Sequence, residues 1–186
     1  MGVIGIFFYG KDTLSSAYFR EAIAAKDEKA ILNLTAKALS ISQRDIYYRF
    51  LSAHYLGKLE RLTESAVSAE VRNQIIIEYG TLAVRNAHMA IKTDERNYRN
   101  WSELGRIYLV LEQFGVEGSY GRGQEAYSRA QNLSPKNETL LLERAELAFL
   151  ARDMHAQELL QELLRYNPDN QEALKRLREW NLNSPQ

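Results

Sequence analysis

The sequence contains no cysteine, which excludes disulfide bonds and thiolate metal sites. Only three prolines and ten glycines occur in 186 residues, so few positions interrupt a helix. Neither sign of charge is in excess, because 24 Lys and Arg residues face 24 Asp and Glu residues. A neutral chain has no long-range attraction to nucleic acid or anionic lipid. These absences indicate a helix-rich protein and suit the cytoplasm and a bacterial periplasm equally.

Long hydrophobic runs are also scarce, and the longest opens the chain at residues 1–10. It has about half the length of a membrane-spanning helix, which needs roughly 20 residues. It lacks the basic start and the small-residue cleavage site of a signal peptide. Two interpretations stay open: a first helical turn that packs on the rest, or the last turn of a transmembrane helix from a larger protein.

The rest of the chain shows apolar residues at spacings of three and four, which predict helices and no strand. The predicted helices run from an Asp12 cap to about Lys26, from Asp27–Glu28 through Ile41, over Tyr48–Leu62, and from about Ala69 to Lys92. A turn is predicted at Ser42–Asp45 and a weak break at Thr63–Ser68.

One motif identifies the architecture. Trp101, Leu104, Gly105 and Tyr108 are followed by Tyr127, Ala130 and Pro135. Their order resembles the signature of the tetratricopeptide repeat, a helix–turn–helix unit that packs on its neighbours. This resemblance implies an all-α, right-handed α-solenoid of antiparallel helix pairs, with about nine helices.

The repeat also predicts the domain organisation. Two units, Tyr98–Asn137 and Glu138–Asn170, match it well, and an Asp169–Glu172 capping box should open a closing helix, Gln171 to about Trp180. The spacing from Ala90 to Ala130 is 40 residues, against about 34 expected, which places an insertion and a flexible loop at Phe114–Gly123. The predicted regions are an apolar segment at 1–10, divergent helical pairs at 11–68, the repeat array with its cap at 69–180, and a tail at 181–186.

A second resemblance concerns the biological setting. The segments Asn97–Arg106, Gly115–Gly118 and Ala126–Ala130 are similar to the soluble C-terminal tail of bacterial membrane proteins of the O-antigen ligase/polymerase family. This implies a membrane-tethered soluble domain, on an undetermined side, attached through an upstream span that is missing here. That family's catalytic region is absent, so its glycan-transfer activity falls on no residue of this chain. The alternative is a self-contained cytoplasmic adaptor that homodimerises.

No residue pattern indicates catalysis, and the chain is interpreted as a non-enzyme without cofactor or metal. His54, His88 and His155 lie on three separate predicted helices. No serine stands in a nucleophile elbow. The glycine-rich loop at Phe114–Gly123 contains no lysine and joins two helices, unlike a phosphate-binding loop.

Interaction residues are expected instead in the inner groove of the solenoid. Arg99, Ser102 and Arg106 share one helix face, and the equivalent positions of the next unit are Thr139, Leu142 and Glu146. Arg99 and Arg106 are the expected anchors. Leu142 and Glu146 argue against a clamp for a C-terminal carboxylate and favour a polar peptide or a partner helix.

Overall fold

The computed structural model describes residues 2–62 and 67–183, and it describes side chains for 10–62 and 67–180. All regular structure in these ranges is α-helical, which confirms the predicted fold class. The helices are α1 (Gly2–Ala24), α2 (Glu28–Ile41), α3 (Asp45–Leu62), α4 (Ala69–Thr93), α5 (Tyr98–Gln113), α6 (Ser119–Leu133), α7 (Glu138–Leu150), α8 (Ala156–Tyr166) and α9 (Gln171–Asn183). None of these described helices is long and apolar enough to cross a membrane.

The helices form a stack of antiparallel hairpins. Consecutive helices pack most extensively within the pairs α1–α2, α3–α4, α5–α6 and α7–α8, and α9 packs on α8. Short connections make the members of a pair antiparallel. The first helices α3, α5 and α7 also contact one another, so they form a continuous row along one side of the stack.

The signature residues are the packing contacts of this stack. Leu104, Tyr108, Tyr127 and Ala130 are buried, and Tyr127 is fully enclosed. The Tyr127 ring lies so close to α5 that a Cβ atom on Gly105 would come within 2.7 Å of it. The repeat therefore needs glycine at this position because no side chain fits between the two helices.

The start of the chain differs from the prediction. Helix α1 runs without a break from Gly2 to Ala24, so Asp12 lies within it and caps nothing. The apolar run is itself helical, and a helix that is already formed needs no new cap at its middle. The next helix starts as predicted, since the Asp27 side chain accepts a hydrogen bond from the Ala30 amide at 2.9 Å.

The predicted insertion loop is also wrong in extent. Helix α6 begins at Ser119, so Gly121 and Gly123 are helical and only Phe114–Gly118 connects α5 to α6. Gly115 and Gly118 adopt left-handed backbone conformations, with φ of 73° and 76°, and they make the turn compact. The glycine at 123 serves packing, because an added Cβ would lie 2.5 Å from Leu147.

The residue that caps the closing helix lies one position later than predicted. Asn170, and not Asp169, accepts the hydrogen bond from the Ala173 amide, at 2.9 Å. Asn170 also donates to Glu138 on α7, so the amide both caps α9 and ties it to the preceding pair. Part of the predicted break at Thr63–Ser68, residues 63–66, lies outside the described residues, as do residues 184–186 of the predicted tail.

Candidate functional site

A polar groove follows the row of first helices. Its main cavity, of about 310 Å³, lies between α3, α5 and α7. An adjoining cavity of about 290 Å³ shares Arg106 and Glu143 with it. We call the two together the inner groove, which is lined by Arg49 and Glu60 of α3, by Tyr98, Arg99, Ser102, Glu103, Arg106, Leu109, Val110 and Gln113 of α5, and by Asn137, Thr139, Leu140, Glu143 and Glu146 of α7 and its cap.

One end of the inner groove is fixed by a buried amide network. Asn100 is fully buried and donates to Asp45 at 3.1 Å and to the Asp94 carbonyl at 2.8 Å. Its side-chain oxygen accepts from Arg49, which also pairs with Asp45 at 3.1 Å. Burial raises the pKa of Asp45, but hydrogen bonds from Asn100 and Asn97 and the charge of Arg49 outweigh it, and the net direction is downward. Arg49 is therefore held in place with its charge balanced.

Arg106 lies between carboxylates at the middle of the inner groove. Its guanidinium pairs with Glu60 across the helix row at 3.1 Å. Burial lowers the pKa of Arg106, but Glu60, Glu103 and Glu143 raise it by a larger amount, so the side chain stays protonated. Arg99 stands at the exposed rim, with its guanidinium 5.7 Å from the centre of the Tyr98 ring.

Two glutamates on the wall of the inner groove, Glu103, which is buried, and Glu143, which is half-buried, each have one carboxylate oxygen without a hydrogen-bond partner among the described residues. Glu103 is 8% exposed, and its Oε1 has no hydrogen-bond partner among the described residues. Burial raises the pKa of Glu103, the charges of Arg106 and Arg49 oppose this, and the carboxylates of Glu143 and Glu60 add to the increase. An unpaired acceptor in such a position is destabilising unless another group binds to it.

Glu143 repeats this situation on the neighbouring helix. Its Oε2 is buried and has no partner among the described residues. Burial raises the pKa of Glu143, against the effect of Arg106 and of the nearby Tyr127 hydroxyl. That hydroxyl is itself buried and lies beside the carboxylate, close enough to lower the pKa of Glu143, but neither group has a hydrogen-bond partner within ordinary geometry among the described residues.

The structure brings four of the five predicted site residues to the inner groove. Arg99, Ser102 and Arg106 line it on α5, and Glu146 lines its far end, where it pairs with Arg176 at 2.7 Å. Leu142 does not line it and packs instead against the apolar cluster between α7, α8 and α9. Whether these residues bind a partner stays a prediction.

The sequence interpretation missed Glu103 and Glu143. A signal was present: the two are 40 residues apart, which is the register of their repeats, so they occupy equivalent positions. Each is also followed four residues later by a fully buried apolar side chain, Ile107 or Leu147. A glutamate at the edge of a buried stripe in two successive units is unlike an ordinary solvated charge.

A larger cavity of about 870 Å³ lies between α6, α7 and α8. Its polar side chains bond to one another: Arg144 donates to Gln124 and Gln131 at 2.8 Å, and Asp153 accepts from Tyr120. Burial and this hydrogen bond raise the pKa of Tyr120 to about 12, and the Tyr120 and His155 bonds lower that of Asp153 to about 2. The polar groups of this cavity therefore satisfy one another's hydrogen bonds. The inner groove contains unpartnered polar atoms and is the better candidate site.

No protein-family model matches the sequence, and no curated protein is similar to it. Among solved structures, the chain is similar to YrrB, described as a TPR protein with an unusual peptide-binding site. The two share 17% sequence identity over 90% of this chain and 88% of YrrB, with a TM-score of 0.47. A likeness at this level assigns no residue and no partner to this chain.

Proposed function

We propose that this protein acts as a protein-interaction scaffold, and not as an enzyme, and that its inner groove holds a peptide segment of a partner. The observation that carries the proposal is Glu103, a charged side chain that is buried in an open groove and lacks a donor. A partner that donates a hydrogen bond to Glu103 would remove the free-energy cost of its unpaired carboxylate oxygen.

The dimensions of the inner groove suit an extended segment. Three packed helices at 8–10 Å spacing present a width of about 20 Å. An extended chain covers about 3.3 Å per residue, so about six residues cross the row. A library of capped octapeptides is therefore an adequate probe.

The test uses fluorescence titration of the full chain with this library, in parallel with the variant Ser102→Trp. Ser102 lines the main cavity, so an indole at this position fills it without changing charge. We expect octapeptides to bind the wild type and not the variant. Absence of binding, or binding that the indole does not affect, would contradict the proposal.

The predicted anchors are tested separately. If Arg99 and Arg106 anchor the peptide, replacing both by Ala should weaken a groove-bound octapeptide by about 1 to 3 kcal/mol, the range of interface anchors. A peptide that presents a cation to Glu103 and Glu143 would not lose affinity in this variant, because Arg99 and Arg106 line the same cavity. Arg106 already pairs with Glu60, so part of the change in affinity would come from Glu60, whose carboxylate loses this ion pair. The single variant Glu60→Gln measures that part. If the double variant binds as the wild type does, neither arginine is an anchor.

We also propose the membrane setting that the second sequence resemblance implies: a tail attached to a glycopolymer enzyme. The continuity of α1 from Gly2 to Ala24 supports it, because a helix that leaves a bilayer would continue directly into the array. The genomic reading frame is the test. An upstream extension with apolar spans of about 20 residues supports the tail, and an upstream stop codon supports the homodimerising adaptor.

A further inference from the structure

Negative side chains outnumber positive ones at the middle of the inner groove. Among the described residues that line its middle, Arg106 faces three carboxylates: Glu60, Glu103 and Glu143. Arg49 does not offset the difference, since Asp45 balances it at 3.1 Å. Arg99 lines the same cavity but stands at its exposed rim. At the far end Glu146 is balanced by Arg176. The middle of the groove is therefore short of positive charge.

The shortage coincides with the two incomplete carboxylates. Glu103 Oε1 and Glu143 Oε2 are both buried, both lack a hydrogen-bond donor among the described residues, and both side chains line the same cavity. They stand on adjacent helices of the row, at equivalent positions of successive repeats. One donor group that reaches into the cavity would serve both.

We propose that the inner groove recognises an arginine side chain of an extended peptide, whose guanidinium inserts between Glu103 and Glu143 and donates to both carboxylates. This rests on the proposed function and names the chemistry of its partner. A guanidinium has five N–H donors in one plane, so it can bridge two carboxylates, whereas an ammonium is a point charge. Desolvation of the cation is offset because two anions receive it.

The groove also provides a place for the rest of the arginine side chain. Tyr98 lines the same cavity, is partly exposed and offers apolar surface to the aliphatic stem. An acidic peptide is disfavoured, because Arg106 is already engaged by Glu60 and the buried carboxylates would repel it.

The experiment sorts the octapeptide library by composition. Each pool fixes one residue type at one position, and pools are titrated against the full chain. We expect pools with arginine to bind best. In a resolved octapeptide, replacing that arginine by citrulline, which keeps the shape and removes the charge, should lower affinity about tenfold or more.

The protein side of the test uses near-isosteric variants. Glu103→Gln and Glu143→Gln should each lower affinity for the arginine octapeptide by about tenfold or more. Glu125→Gln is the matched control, because Glu125 is exposed on α6 outside the inner groove and its replacement changes net charge equally. Circular dichroism of each variant verifies that the helical fold is retained.

The outcomes separate this inference from the proposed function. Octapeptides that bind, are blocked by Ser102→Trp and need neither arginine nor the two glutamates would overturn the inference and leave the scaffold proposal intact. Lysine and arginine pools that bind equally would overturn the guanidinium assignment. A library without binders overturns both.

Discussion

Glu103 shows how the burial of one carboxyl group links the stability of the protein to pH. Its carboxylate is buried on the wall of the inner groove and lacks a partner for Oε1. Because burial raises the pKa of Glu103, the folded protein binds this proton more tightly than the unfolded chain does. The native state is thus favoured below the unfolded pKa, and this contribution is lost as pH rises through the folded pKa.

We therefore expect Glu103→Gln to be more stable than the wild type at pH 7, by about 1 kcal/mol, because the amide removes a buried charge. The gain should shrink toward pH 4, where most of the wild-type carboxyl is protonated in both the folded and the unfolded state. Urea unfolding at the two pH values measures the difference. A variant that is equally or less stable at pH 7 would show that Arg106 and Arg49 already compensate the charge.

Asn100 has the opposite role, because all of its polar atoms are used. It joins α5 to Asp45 of α3 and to the carbonyl groups at the end of α4. Asn100→Ala should lower the free energy of unfolding by about 2 to 3 kcal/mol, since it leaves several buried groups without partners. Asn73→Ala, at an exposed position of α4, is the control and should change it by less than about 0.5 kcal/mol. Equal effects in urea unfolding would refute a central role for the network.

Within the α5–α6 helix pair, the glycines have different structural roles. Gly105 and Gly123 stand where helices touch, and an added Cβ would come within 2.7 Å of Tyr127 or 2.5 Å of Leu147. Gly121 lies on the same helix as Gly123 but has nothing within 4 Å of such an atom. Replacement of glycine by alanine is therefore expected to destabilise the protein at positions 105 and 123 and to stabilise it at position 121.

Gly105→Ala and Gly123→Ala should each destabilise the protein by about 1 to 2 kcal/mol, because overpacking exceeds the gain in helix propensity. Gly121→Ala should stabilise it by about 0.5 to 1 kcal/mol through propensity alone. Melting temperatures of the three variants give the comparison. Stabilisation by all three would mean that α5 and α6 are less closely packed than described.

The α7–α8 turn has a related feature with a different residue. Arg152 adopts a left-handed conformation, with φ of 57°, where the α5–α6 turn has Gly115. The amide of Asp153 reaches back to the Ala148 carbonyl at 2.8 Å, as that of Val116 reaches Leu111 at 3.1 Å. The same helix-ending arrangement is thus built with and without glycine, which keeps the repeat geometry at the expense of some strain.

In the whole molecule, the described residues that pack α1 against the other helices belong to its second half. Ser15, Phe19 and Ala22 are buried, and Phe19 packs against Tyr47 of α3 with ring centres 4.4 Å apart. The side chains of residues 2–9 lie outside the described part of the chain. The prediction that this segment belongs to a membrane span stays open.

Deletion of residues 1–9 tests that prediction. If the segment is a membrane remnant, its removal should leave the melting temperature within about 2 °C of the full chain, because the anchoring residues remain. Removal of this apolar segment should also reduce self-association, which analytical ultracentrifugation measures. A large fall in melting temperature would show that the segment is part of the core.

Local sequence patterns predicted the helical content, the pairing of helices and the bounds of α2 and α4. These follow from the three-and-four spacing of apolar residues and from capping by residues such as Asp27, which are local properties of the chain. The positions of Gly105 and Tyr127 were also readable, because the repeat fixes which residues must touch.

Tertiary contacts decide where α6 begins and what the inner groove contains. The glycines of Phe114–Gly123 predicted a loop, but contact with Tyr108 and Leu147 holds Gly123 in a helix. Glu103 and Glu143 are separated by 40 residues, and their burial arises where α3, α5 and α7 meet. Solvation and charge balance depend on such distant neighbours, and no local pattern along the chain encodes them.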